Sequence, residues 1–192
     1  MEIDMEEMIR RGLFFKPADT NQKFKTKLDE TTLKRVVKQD LPETIRKSFK
    51  NQEYDTYETI AELVLYRVYG VPPSGNGGAR QKGAFATTEF AESRIDVKCR
   101  LSLDPQWKNA LYIEEKLLIP KGVVLQVGVV GPVTLLSGTV LEGGADQILL
   151  PKDWPEDWVI GYRYVTSEPL MEYPTYSTEK PDEIRYKTIS NS

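Results

Sequence analysis

The stretch "ETIAELVLYRVYG", residues 58–70, decides how the chain is interpreted. Before it the sequence is charged and poor in glycine, whereas from it onward β-branched and aromatic residues dominate. Residues 63–69 form a short apolar run that ends at Gly70, as is typical of a buried strand closed by a turn. We therefore predict a β-rich domain that begins near residue 61.

Six further runs carry the same signals after residue 70. Glycine and proline punctuate them, and we predict strands at residues 84–88, 111–118, 123–130, 133–141, 147–150 and 158–165. One helix interrupts them, within "TEFAESRIDVKCRLS" at residues 88–102, with Thr88 as its expected N-cap. The pattern predicts an α+β fold with mainly antiparallel β-sheets.

Residues 1–60 are predicted to be a helical segment that serves as an adaptor, a linker or a cap. Apolar residues recur at helical spacing in two sets, and Pro42 opens a possible third, short helix. The two sets are Met5, Met8, Ile9 and Leu13, and then Leu28, Leu33, Val36 and Val37. Residues 61–168 form the predicted β-rich domain, and residues 169–192 are expected to be an extended tail.

Composition excludes several classes of chemistry. The 192 residues carry a net charge of -3, and they include one cysteine and no histidine. Ser-His-Asp triads, Cys-His pairs and histidine metal sites are therefore impossible, and Cys99 is interpreted as buried filler. We expect no nucleic-acid partner, no membrane partner and no classical signal peptide, because basic bias, long apolar runs and an apolar N-terminal region are all missing from the sequence.

Three pieces of sequence follow one another in an informative order. Arg67 lies on the first predicted strand, "KGAFATTEFAESR" at residues 82–94 combines a small-hydroxyl strand with a helix, and "GGADQILLP" at residues 143–151 leads from a glycine hinge into a strand. In this order they resemble the ADP-ribosyltransferase fold, with Ala145 and Gln147 where that fold has two glutamates. A glutamine after paired glycines is similar to the branch of NAD glycohydrolases that contains the tuberculosis necrotizing toxin family.

The resemblance implies that residues 61–168 are an ADP-ribosyltransferase-like, NAD-binding catalytic domain, and it implies a substrate and a set of residue roles. NAD+ or NADP+ would be the substrate, with no separate cofactor, and Gln147 and Arg67 would be the catalytic pair. It implies that Gln147 holds the ribose hydroxyls, that Arg67 and Arg94 contact the phosphates, that Phe85 stacks on the nicotinamide or ribose, that Thr87 bonds the amide, and that Gly144 lets the backbone approach the ligand. It also implies a secreted toxin or effector that acts in the cytoplasm of a target cell and has a cognate immunity protein.

The chemistry of this bond is compatible with a chain that lacks histidine. Cleavage of the nicotinamide–ribose bond passes through an oxocarbenium-like state and releases a neutral group. Orientation and charge stabilisation then matter more than a strong base. An amide at Gln147, rather than an acid, favours water over a protein side chain as the acceptor.

Two other functions stay open at this point. One is an ADP-ribosyltransferase that modifies a protein or nucleic acid, and the other is a non-enzymatic β-rich module of a phage or secretion system. Ordinary structural roles also exist for the candidates: Arg67 with a surface acid, Arg94 with Glu92 or Asp96, and Phe85 in the core. Thr87 and Thr88 have an alternative role as the residues that begin a helix. The glycine-rich loop that contains Arg80 and Lys82 is either a flexible connection between strands or a lid over a ligand. Asp146 is expected to point away from Gln147, toward the outside.

Overall fold

The computed structural model describes residues 28–70, 83–107 and 109–181. Within these ranges two antiparallel sheets pack against each other, and the prediction of an α+β chain built mainly of antiparallel sheets is confirmed. In chain order the strands are β1 Leu33–Arg35, β2 Phe49–Thr59, β3 Leu63–Tyr69, β4 Phe85–Ala86, β5 Ile113–Ile119, β6 Val124–Val130, β7 Val133–Thr134, β8 Val140–Leu141, β9 Asp146–Leu149 and β10 Val159–Tyr164. The helices are α1 Glu43–Arg46 and α2 Arg94–Arg100, and 3-10 turns lie at Pro105–Trp107 and Glu156–Trp158.

The strands are arranged in two principal sheets. The larger sheet has the order β1-β2-β6-β9-β4, the second has the order β10-β5-β3, and β7 with β8 forms a small hairpin. A single bridge between Tyr66 and Thr87 connects the β3 edge of one sheet to the chain just after β4. This bridge brings the ends of β3, β4 and β9 into one region of the molecule.

The main core lies between the two sheets. Alternate residues of each strand point to the same face, and Leu65, Leu117 and Ile119 pack against Leu125, Val127 and Ile148 of the larger sheet, as part of one buried cluster. A second, outer cluster joins Phe49 and Tyr54 to Leu149 on the far face of the larger sheet, beneath Ile45 of α1. The two clusters hold β9 on both of its faces.

The prediction of a helical first segment is wrong for the described part of residues 1–60. Residues 33–35 and 49–59 are strands, and Leu33 pairs with Thr59. Leu33 is buried whereas Val37 is 89% exposed, so the apparent helical stripe does not share one face. Pairing with β2 overrides the local helical pattern. The short helix at Pro42 is confirmed as α1, and Met5, Met8, Ile9 and Leu13 lie outside the described residues.

Two local predictions also need correction. The helix near residue 94 is capped by Ser93, whose hydroxyl accepts a hydrogen bond from the Asp96 N–H at 3.2 Å, and not by Thr88. Residues 133–141 are not one strand but a hairpin, because Gly138 adopts a positive φ of 83° and turns the chain back. The serine–glycine pair at 137–138 is the turn signal for this reversal.

The end of the described chain lies along the second sheet. Ser177 pairs with Tyr162 of β10, and the hydroxyl of Tyr176 donates a hydrogen bond to the buried carboxylate of Glu114. This segment is therefore attached to the sheet near its β10 edge. Residues 182–192 of the predicted tail lie outside the described residues.

Candidate functional site

One cavity of about 640 Å³ opens where the ends of β3, β4, β6 and β9 meet. Its wall includes Arg67, Phe85 and Gln147, three of the residues that the sequence nominated. They come from three different strands, and the sheet topology brings them together. Cavities of roughly 300–1,000 Å³ are the usual size for small-molecule sites.

Arg67 lies at the cavity wall with its side chain only 7% exposed. Its Nη1 donates a hydrogen bond to the Phe85 carbonyl oxygen at 2.9 Å, and its Nε lies 3.8 Å from Oε2 of the buried Glu115. Burial lowers the pKa of the Arg67 guanidinium, while the charge of Glu115 opposes that shift. A surface acid was the alternative partner expected for Arg67, but the acid beside it is buried on the neighbouring strand.

Gly83 sets the space that the Arg67 guanidinium occupies. A Cβ atom added at Gly83 would overlap Nη1, Nη2 and Cζ of Arg67. Glycine therefore allows the guanidinium to lie directly against the backbone that enters β4.

Phe85 serves both the core and the cavity. Its ring is half-buried and meets the ring of Phe49 edge-on, with centroids 6.2 Å apart. It also packs against the outer cluster that contains Leu149. The position on β4 leaves part of the ring at the cavity wall.

Gln147 is 7% exposed and reaches the cavity from β9. Its Nε2 donates a hydrogen bond to Ser48 Oγ at 2.6 Å, and Ser48 Oγ in turn donates to the Ile45 carbonyl oxygen at 2.7 Å. Ser48 lies between α1 and β2 and also lines the cavity. The residue that contacts the nominated glutamine therefore comes from the segment that the sequence analysis treated as a separate helical part.

Three other nominated residues do not line this cavity. Thr87 is 1% exposed, and its backbone N–H and carbonyl both bond to Tyr66, at 2.9 and 2.8 Å. The Thr87 hydroxyl is buried, and no hydrogen-bond partner for it exists within the described residues. The guanidinium of Arg94 lies 5.0 Å from the Tyr112 ring centroid and donates to Ser167 Oγ, whereas Asp96 pairs with Arg100.

Gly144 is the third nominated residue that does not line the cavity. Its φ of 92° lies in the left-handed region, and its N–H donates to the Val130 carbonyl oxygen at 3.0 Å. Gly143 before it also has a positive φ, of 70°. The pair turns the chain into β9 and so aims Gln147 at the cavity.

Asp146 departs from the expectation that it points outward. It is only 9% exposed, and it accepts a hydrogen bond from the Thr88 hydroxyl. Burial raises its pKa to about 6. Because side chains alternate along a strand, Asp146 and Gln147 lie on opposite faces, and of these two residues Gln147 is the one that lines the cavity.

Ser48, Gly83 and Glu115 were missed by the sequence analysis. Glu115 carried a usable signal, because the acids of "IEEKLLI" at residues 113–119 interrupt an apolar strand, and a buried acid in such a place is expected to have a partner. Gly83 belongs to the fragment at residues 82–94, where the sequence pattern assigned it no role. Ser48 had no local signal, since it is 99 residues from Gln147 in sequence.

Other kinds of site are not seen in the described part of the chain. Across residues 28–70, 83–107 and 109–181, no three Cys, Asp or Glu residues cluster closely enough to hold a metal ion. In the same ranges no helix has the length and hydropathy that would let it cross a membrane. Cys99 lies half-buried on α2, where burial raises the pKa of its thiol.

Comparison with known proteins yields one structural likeness to report. No protein-family model matches the chain, and no curated protein matches it. A solved structure of Tne2 in complex with Tni2 superimposes with a TM-score of 0.46 at 15% sequence identity, over 60% of this chain and 95% of that one. A TM-score below 0.5 does not establish a common fold.

Proposed function

We propose that this chain is an NAD(P)+ glycohydrolase with an ADP-ribosyltransferase-like fold. The observation that carries the proposal is that Arg67, Phe85 and Gln147 line a single cavity. The resemblance nominated six residues, and these three, from three different strands, share one wall.

The residues at the wall match what the reaction needs. The bond between C1′ of the ribose and N1 of nicotinamide breaks, its electron pair leaves with nicotinamide, and a water molecule adds to C1′ and releases a proton. Positive charge develops on the ribose, so a preoriented amide oxygen near the sugar stabilises the transition state. Nicotinamide leaves as a neutral molecule, and no histidine is needed to protonate it.

Arg67 and Phe85 have binding roles in this proposal. The guanidinium donates hydrogen bonds to phosphate oxygens of the dinucleotide, since its planar N–H groups suit that geometry. The Phe85 ring offers an aromatic surface to the nicotinamide or ribose. Because Glu115 neutralises Arg67 from behind, the wall holds an oriented donor group rather than a large excess of positive charge.

The same proposal includes a biological role, carried by the resemblance noted in the sequence. The chain would act as a toxin or effector that depletes NAD(P)+ in the cytoplasm of a target cell, and a cognate immunity protein would protect the producer. Expression of the wild type should then arrest a host cell, whereas a Gln147→Ala variant should not. Equal arrest by both proteins would argue against this role.

The direct experiment measures nicotinamide release from NAD+ and from NADP+ by chromatography. We expect the wild type to release nicotinamide and Gln147→Ala to lose roughly 10²–10³-fold in rate, the range for removal of one preoriented polar group. Gln126→Ala is the matched control, because Gln126 is equally buried in the same sheet but bonds to Gln39 and does not line the cavity.

The outcomes separate the candidate functions. No release by the folded wild type would refute the glycohydrolase. Release accompanied by labelling of a protein or nucleic acid would identify a transferase instead. Equal loss in Gln147→Ala and Gln126→Ala would show that the sheet, and not the cavity amide, controls the rate.

A further inference from the structure

We propose that Ser48 is a positioning residue that fixes the orientation of the Gln147 amide, so that the amide oxygen is the atom presented to the ligand. The site then selects a ligand group that donates a hydrogen bond, such as a sugar hydroxyl. The identity of that ligand rests on the proposed function, whereas the orientation rests on the geometry alone.

The orientation follows from where the single hydroxyl proton of Ser48 lies. Ser48 Oγ is 2.7 Å from the Ile45 carbonyl oxygen. A carbonyl oxygen only accepts, so the Ser48 proton must point toward it. Ser48 Oγ then has only lone pairs left for its second neighbour.

That second neighbour is the side-chain amide of Gln147, 2.6 Å away. Facing an acceptor, the amide must present its NH2 group, because its oxygen would meet another oxygen with no proton between them. The two hydrogen bonds that link Ile45, Ser48 and Gln147 therefore decide which end of the amide is Nε2 and which is Oε1. The two ends of an amide are otherwise hard to distinguish.

The opposite end of the amide is the one available to a ligand. Gln147 lines the cavity, and within the described residues no donor bonds to its Oε1. Oε1 is an acceptor and so binds O–H or N–H groups and rejects carbonyl oxygens. Hydroxyls of the nicotinamide ribose are donors of this kind, and a bond to one of them becomes stronger as charge develops on the sugar.

The local structure holds Ser48 itself in place. Its N–H also donates to the Ile45 carbonyl oxygen, at 3.0 Å, and its own carbonyl oxygen accepts from the Gly131 N–H at 3.3 Å. Ser48 is thus attached to the end of α1 on one side and to the end of β6 on the other. A residue fixed at both ends is suited to hold an amide in one rotamer.

The test compares NAD+ with analogues that lack the 2′- or the 3′-hydroxyl of the nicotinamide ribose, after subtraction of spontaneous cleavage. We expect the wild type to prefer NAD+ over at least one analogue by tenfold or more in kcat/KM, because an analogue that leaves a buried acceptor unpaired is strongly rejected. In Ser48→Ala the amide is able to rotate, and the preference should fall to about threefold or less.

Two variants separate positioning from general damage. Ser48→Thr keeps the hydroxyl and should keep the preference. Ser102→Ala removes another serine hydroxyl from the same cavity wall, one that donates to the Leu141 carbonyl oxygen at 3.0 Å and does not contact Gln147. Whatever it does to stability or overall rate, the ratio between NAD+ and the analogues should stay at the wild-type value.

A second measurement does not depend on activity. The side-chain NH2 resonances of Gln147, identified by their disappearance in Gln147→Glu, should exchange slowly in the wild type and in Ser102→Ala but quickly in Ser48→Ala. Unchanged exchange in Ser48→Ala, or an unchanged preference for NAD+, would overturn the role of Ser48. If the wild type releases no nicotinamide, the proposed function fails, and the exchange measurement alone decides the orientation.

Discussion

Glu114 and Glu115 are neighbours in β5, both are buried, and each lies beside an arginine from an adjacent strand. Arg163 meets Glu114 through two hydrogen bonds, Nε to Oε1 at 3.1 Å and Nη2 to Oε2 at 3.0 Å. Arg67 lies 3.8 Å from Glu115, beyond hydrogen-bond distance, and borders the cavity. Since consecutive residues of a strand point to opposite faces, the Glu114 pair lies on one face of the β5 sheet and the Glu115 pair lies on the other.

Glu114 and Glu115 are equally buried, and the two pairs differ in how the arginine meets the carboxylate. Glu114 also accepts hydrogen bonds from the Tyr176 hydroxyl and the Ala91 N–H, so the first pair is part of a closed network. Burial still raises the pKa of Glu114, and Arg163 counteracts that shift. A closed network of this kind stabilises one packing arrangement, whereas under the proposed function the arginine at the cavity wall meets the substrate.

The largest effect is expected from breaking the closed network. Arg163→Ala leaves Glu114 buried without its cation, and we expect a loss of about 3–5 kcal/mol in the free energy of unfolding. Chemical denaturation of the variant measures this loss. The double variant Arg163→Met with Glu114→Leu removes both charges and should recover most of it. A loss below about 1 kcal/mol in the single variant would show that the network is not structural.

Arg67→Ala, the matched change at the cavity, should reduce stability less than Arg163→Ala does and should reduce activity more. Arg67→Ala opens Glu115 to cavity water, so the carboxylate becomes hydrated, and we expect a loss of only about 1–3 kcal/mol in the free energy of unfolding. If the proposed function is correct, nicotinamide release should fall by roughly 10²-fold, because a donor to the substrate is lost. Denaturation and chromatography on the same samples measure both quantities.

The two arginine variants should therefore separate activity from stability. Arg163→Ala, assayed below its unfolding transition, should keep far more activity per folded molecule than Arg67→Ala. The reverse order would mean that the closed network, and not the cavity pair, is coupled to the reaction.

Asp146 is a third buried acid, and its hydrogen-bond partner is a hydroxyl instead of an arginine. Burial raises the pKa of Asp146 to about 6, from 3.8, and Thr88 donates to it. Between about pH 4 and pH 6 the folded state keeps a proton that the unfolded state has released, so this contribution to stability is full below pH 4 and is lost as the pH rises through 6.

Asp146→Asn should remove the decrease in stability that ionisation of Asp146 causes above pH 6. At pH 7 we expect the variant to be more stable than the wild type by about 1–2 kcal/mol, after subtraction of the cost of burying the amide NH2. Unfolding free energies at pH 4 and pH 7 measure the change, and the gain should shrink or vanish at pH 4. A gain of the same size at both values would show that ionisation of Asp146 is not its cause.

Much of the fold was predictable from local patterns. The strands β3, β5, β6, β9 and β10 coincide with predicted runs to within two residues at each end, because their apolar residues are flanked by glycine or proline turns. Within residues 28–60 the strands β1 and β2 were predicted as helix, because a helical spacing of apolar residues does not exclude a strand that finds a partner. One of the two partners of β2 is β6, far along the chain, and local spacing contains no information about this pairing.

The candidate site was also predictable in part from the sequence. The order of Arg67, Phe85 and Gln147 along the chain suggested that they act together, and residue type alone excluded histidine chemistry. Residue type and order did not reveal that Ser48 orients Gln147, that Glu115 lies behind Arg67, or that Asp146 is buried with Thr88. These contacts depend on strand register and on which face each side chain occupies, and both are set by long-range pairing.

The sequence by itself determined the chemistry that the chain has available, namely arginine, amide, hydroxyl and aromatic groups without histidine, and it determined most of the strands through local spacing. Only the tertiary structure decided which of the nominated residues meet, since a cavity wall is assembled from strands that are adjacent in space and distant in sequence. Thr87 and Arg94 belong to the same sequence motif as Phe85 and yet do not line the cavity. The physical reason is that motif order constrains the backbone path, whereas the direction of each side chain depends on the strand or helix that carries it.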